Sequence, residues 1–108
     1  MENEFNTTIE QSNLLIELRL PSDSCDCYFK YEDGDYNVVV LPPHEKFSTI
    51  AGENDVPCWT DGNLQQIYDI CWNNPEINKY ERMFSEHVIL SFIEDCENNN
   101  LDFTRLVL

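Results

Sequence analysis

At 108 residues the chain has the size of one domain, long enough to bury about two thirds of its unfolded surface around a single modest core. Hydrophobic residues make up 42% and aromatics 12%, a load that a disordered acidic tail lacks, so the acidity belongs to a folded body spanning 1–108. Twenty-one Asp and Glu against six Lys and Arg leave a formal charge of −15, which argues against direct contact with nucleic acid or an anionic membrane surface, both of which call for cations.

The opening residues MENEFNTTIEQSN lack the basic and apolar regions of a signal peptide, and no apolar run approaches the roughly 20 residues that span a bilayer. Cys25, Cys27, Cys58, Cys71 and Cys96 are odd in number. Reduced thiols and a cytoplasmic location are therefore expected.

Residues 1–12 are largely polar and read as a loosely ordered arm or a short helix. Leu14, Ile16, Leu18 and Leu20 then alternate with Leu15, Glu17 and Arg19, which predicts a half-buried strand ending at Pro21. The clearest local signal follows. Cys25–Tyr31 and Tyr36–Leu41 flank Glu32-Asp33-Gly34-Asp35, and Asp-Gly is the preferred type I′ hairpin turn. That loop pairs Tyr31 with Tyr36, Phe29 with Val38 and Cys27 with Val40 on one face, and Tyr28 with Val39 and Lys30 with Asn37 on the other. Pro42-Pro43 ends the second strand, and residues 44–60 read as a connection with one helical turn near Lys46–Ile50.

Thr60 or Asp61 caps a predicted helix whose Leu64, Ile67, Tyr68 and Cys71 recur at helical spacing. Asn74 and Pro75 predict the start of a second, long helix carrying Ile77, Tyr80, Phe84, Val88 and Phe92 as one stripe, apolar nearly all round between His87 and Ile93. The tail from Phe103 to Leu108 alternates weakly and suggests a returning fourth strand. The fold expected is α+β: a small three- to four-stranded, mainly antiparallel sheet covered on one face by C-terminal helices.

Chemistry finds little support. Cys25-x-Cys27 is not the spacing of a structural zinc site, and the hairpin register places both thiols beside Phe29 and Val38 as small hydrophobes. Asp33, Asp35 and Asn37 imitate the start of a calcium loop, but Val38 stands where glycine is required and His44 where glutamate is. His87 reads as a core or boundary residue and His44 as an exposed loop residue. Gly34, Gly52 and Gly62 are isolated, so there is no phosphate-binding loop. The chain is therefore read as non-enzymatic and without cofactor or metal.

What remains is the acid itself. Asp23, Asp26, Glu32, Asp33 and Asp35 lie on or beside the hairpin; Glu45, Glu53, Asp55 and Asp61 follow it; Glu94, Asp95 and Glu97 end the long helix. The candidate partner-binding residues are Asp26, Glu32, Asp33, Asp35, Glu94, Asp95 and Glu97, since clustered carboxylates can imitate phosphate spacing or plug a basic groove. In general type the chain resembles small acidic inhibitors of nucleic-acid enzymes, such as phage-encoded anti-restriction and anti-CRISPR proteins and bacterial immunity proteins to nuclease toxins. No motif carries that resemblance residue by residue. It implies a basic protein partner, a nuclease or other nucleic-acid-handling protein, and a monomer or homodimer. The alternative is an acidic dimeric chaperone or adaptor that masks a client segment.

Overall fold

A computed structural model describes residues 5–108. The first described helix is α1, Ile9–Glu17, where sequence alternation predicts a strand over 14–20. Local capping decides against the strand. Thr8 Oγ1 accepts from the Gln11 amide at 3.1 Å while Gln11 Oε1 accepts from the Thr8 amide at 2.9 Å, a reciprocal box that starts a helix. At the other end Arg19 adopts φ 75°, and the Arg19 and Leu20 amides reach back to Ile16 and Leu15 at 2.9 and 3.0 Å. That pair of bonds closes a Schellman turn with arginine in the position glycine usually fills. Of the two readings of 1–12, a loose arm or a short helix, the described part follows the helix from Ile9, and Thr7 and Ser12 are fully buried and bonded to each other at 2.8 Å. Residues 1–4 of that segment lie outside the described residues.

The hairpin forms in the expected register, with β1 over Cys27–Glu32 and β2 over Asp35–Val40. Asp33 (φ 52°) and Gly34 (φ 85°) both take the left-handed conformation that a type I′ turn demands. After a single helical turn, α2 (Phe47–Ile50), the third strand is β3, Val56–Cys58, which pairs antiparallel with β1 and gives the order β2-β1-β3. Pro57 hides this strand from sequence reading. Alternation from the turn places Pro57 opposite Tyr28 at a position where no ladder N–H is needed, so the proline is tolerated.

Helix α3, Asp61–Cys71, is capped by Thr60 Oγ1 on the Asn63 amide (3.2 Å) and buries Leu64, Ile67, Tyr68 and Cys71 as expected. The predicted long helix is two. Asn78 accepts from the Tyr80 amide at 2.9 Å and caps α4, Lys79–Met83; the chain then breaks at Phe84 and restarts as α5, Val88–Glu97. Only Val88 and Phe92 of the predicted stripe enter the core, whereas Ile77, Tyr80 and Phe84 are 40%, 57% and 63% exposed. His87 is exposed at the start of α5, not buried within a helix. The tail forms a single 3-10 turn, Phe103–Arg105, in place of a fourth strand, because Asp102 Oδ1 captures the Thr104 amide and hydroxyl at 3.1 and 2.6 Å.

The α+β class is as expected. The core gathers Leu15 and Leu20 from the α1 region, Trp59 after β3, Leu64, Ile67 and Tyr68 from α3, and Val88 and Phe92 from α5. Tyr68 and Phe92 meet edge to face at 5.1 Å. Each such side chain contributes about 1.5–3 kcal/mol on burial. The strands join this core at their base alone.

Candidate functional site

The hairpin is anchored at one end and free at the other. Cys27 and Tyr28 are buried, with Tyr28 edge-on to Phe47 of α2 at 6.0 Å, while residues 30–38 are all exposed. One face of the free part is apolar: Phe29, Tyr31, Tyr36, Val38 and Val40 share it, and Tyr31 packs on Tyr36 at 5.1 Å. Val38 and Val40 remain 50% and 75% exposed. Sequence reading places these side chains together correctly. It does not reveal that the helices leave them uncovered, since alternation shows which residues share a face and not what packs on it.

At the tip Glu32 stands directly opposite Asp35, with Asp33 in the turn, and all three are exposed. Lys30 is the single cation of the two strands. The neighbouring loop is fastened to the hairpin by Asp55, whose Oδ1 accepts from the Tyr31 amide at 2.8 Å and whose Oδ2 accepts from the Gly52 amide at 2.7 Å. An open cleft of about 340 Å³ lies there, lined by Tyr28, Lys30, Ile50, Glu53 and Asp55.

The remaining candidate acids separate into different roles. Asp26 is half-buried and accepts from the Thr60 amide at 3.0 Å and from the Thr60 hydroxyl, so it holds the start of α3. Glu94 and Glu97 are exposed on α5, which packs on α1, α3 and α4, apart from the hairpin tip. Glu94 pairs with Arg82 at 2.7 Å. Asp95 is the correction of consequence. It is 2% exposed and accepts from Tyr68 Oη (2.6 Å), Arg82 Nε (2.9 Å) and Asn100 Nδ2 (3.0 Å). Burial, and then the hydrogen bond to Asp95, push the Tyr68 hydroxyl well above the usual phenol range. A carboxylate so enclosed ties α3, α4 and α5 together and offers nothing to a partner.

The five thiols are free; Cys25, Cys27, Cys58 and Cys71 are buried and Cys96 is half-buried. Burial raises Cys25 and Cys96 to about 12 and Cys71 to about 11. Cys27 and Cys58 face each other across β1 and β3, and the hydrogen bond between them, followed by burial, holds Cys27 above the ordinary thiol range. The same bond draws Cys58 downward against burial. Among the described residues no group of three or more His, Cys, Asp or Glu is arranged to hold a metal, and no helix is long and apolar enough to cross a membrane.

Comparison with protein-family models, with curated proteins and with solved structures finds no match to this chain.

Proposed function

We propose that this chain is a small non-enzymatic inhibitor whose acidic hairpin occupies a basic nucleic-acid-binding or active-site surface of another protein in the reducing cytoplasm. One observation carries the reading: three exposed carboxylates surround a two-residue turn, two of them directly across the ladder from each other. Like charges so placed destabilise a hairpin by up to about 1 kcal/mol. Folding supplies no reason to keep that cost, whereas a cationic partner does. The overall charge of −15 supports the same reading, because it steers a basic partner and repels anionic competitors.

The test is the double variant Glu32→Gln/Asp35→Asn, assayed on a partner recovered by cross-linking and mass spectrometry. Thermal stability should hold or rise slightly while affinity falls at least tenfold, about 1.4 kcal/mol. Wild-type affinity should also drop steeply between about 50 and about 500 mM salt. Unchanged affinity in the variant and indifference to salt would overturn the proposal. That outcome would favour the chaperone-like alternative, in which the apolar hairpin face covers a client segment.

A further inference from the structure

The two edges of the sheet are finished differently. The two-residue loop fixes Glu32 and Asp35 as a hydrogen-bonded pair, so by alternation the amides and carbonyls of Asn37 and Val39 face β1, while those of Tyr36, Val38 and Val40 face outward. On the β1 side the amide of Tyr31, beyond the reach of β3, is closed by Asp55. β3 itself is three residues long and interrupted by Pro57. β2 has none of these protections: it is six residues long and free of proline and bulge, and among the described residues no strand pairs with its outer side. Pro42-Pro43 limits any added pairing to the stretch ending near Leu41.

An open edge of Val38, Val39 and Val40 is a template for another strand, and charge decides which strand. A second copy of this chain brings a further −15 and its own acidic tip. A cationic segment brings the complement. We propose that the outer edge of β2 receives an extended segment of the basic partner as a fourth strand, its apolar side chains beside Tyr36, Val38 and Val40 and its Lys or Arg side chains on the Asp35 side. This rests on the basic-partner reading above and adds its mode of recognition: main-chain bonds supply affinity, and alternation and charge supply specificity.

The probe is an acetylated peptide of roughly six residues alternating Lys and Val, matched in length to a strand, titrated into the intact chain to about 1 mM. Amide exchange at Tyr36, Val38 and Val40 should slow at least tenfold on binding, while the already bonded Asn37 and Val39 change little. N-methylation of the peptide on its edge-facing residues should weaken binding at least tenfold. Val38→Pro should do the same, because it removes an outward donor and leaves the β1–β2 bonds in place. If that variant unfolds, the N-methylated peptide alone decides. No slowing at the three amides refutes strand addition. Equal binding of both peptides, still weakened by Glu32→Gln/Asp35→Asn, refutes strand addition and leaves the basic-partner reading standing. Edge protection that survives the double variant undiminished overturns the cationic occupant, and with it that reading. A stable dimer in sedimentation, dissociated by Val38→Pro, would make the occupant a second copy and overturn the proposal.

Discussion

Asp95→Ala separates a structural carboxylate from a binding one. The substitution strands three donors to unequal degrees. Tyr68 Oη keeps Ser91 Oγ at 2.9 Å, and Arg82 keeps Glu94 at 2.7 Å with its side chain 27% exposed to water. Asn100 Nδ2, on a residue only 9% exposed, loses the acceptor that the structure gives it. An unsatisfied buried donor costs about 1–3 kcal/mol, and breaking a buried pair about 3–5 kcal/mol. The partial fallbacks set the expected loss near 3 kcal/mol, a fall in Tm on the order of 12 °C or more for a domain of this size. Glu94→Gln and Glu97→Gln, at the exposed end of the same helix, should stay within about 0.5–1 kcal/mol. Urea unfolding of the three variants provides the measurement. An Asp95→Ala cost below about 1 kcal/mol would mean that the Tyr68–Asp95–Arg82 arrangement does not hold the helices together, and Asp95 would return to the list of surface acids.

Phe92→Ala should cost about 3–5 kcal/mol, since the ring is fully buried against Tyr68, whereas Phe84→Ala should cost no more than about 1 kcal/mol, mostly its stacking on Tyr80 at 6.2 Å. Equal losses in chemical denaturation would place Phe84 in the core and refute the break between α4 and α5. Stability should also decline in alkali. Unfolding frees thiols that ionise near 9.0, but in the folded chain burial holds Cys25 and Cys96 to about 12 and Cys71 to about 11. The native state therefore binds more protons above pH 9, and stability falls as pH rises from there toward 12, by up to about 1.4 kcal/mol per pH unit for each fully buried thiol. Tyr68, above its ordinary value of 10.0, and Cys27, held up by its bond to Cys58, add in the same direction, while Cys58, shifted downward, opposes. A flat denaturation midpoint from pH 8 to about pH 11 would contradict the burial of these groups.

What the sequence made legible was what neighbouring residues settle among themselves. The hairpin register follows from Asp33-Gly34 and alternation, and α3 from Thr60 and its apolar spacing; both are as read. Leu14–Leu20 satisfies strand and helix periods alike, because leucines at 14, 18 and 20 and isoleucine at 16 alternate while Leu14, Leu15 and Leu18 also share a helix face. The decision fell to the Thr8–Gln11 box and to Arg19, whose left-handed conformation no glycine announces. Asn78, and not the predicted Asn74, caps a helix, inside what reads as one long helix from Pro75. The division among Glu94, Asp95 and Glu97 was invisible for a different reason. Adjacent acids at a helix end look equivalent until Tyr68 and Arg82, from two other helices, arrive over Asp95.

Folding and the proposed binding place opposite demands on the hairpin. An apolar strip of Tyr36, Val38 and Val40 beside an unpaired edge invites self-association, and natural sheets guard such edges with charge or proline. Here both guards stand at the ends: Asp35 and the acidic turn before the strip, Pro42-Pro43 after it. Proline is indifferent to the identity of an incoming strand; it sets only the length that can pair. Carboxylates discriminate. They repel a second acidic copy and attract a cationic segment, so under the proposal above the same groups that discourage self-pairing would also select the strand admitted. A lysine at position 32 or 35 would guard the edge equally well and relieve the repulsion across the ladder. On the proposed reading, a cationic partner is what would account for acid at both positions.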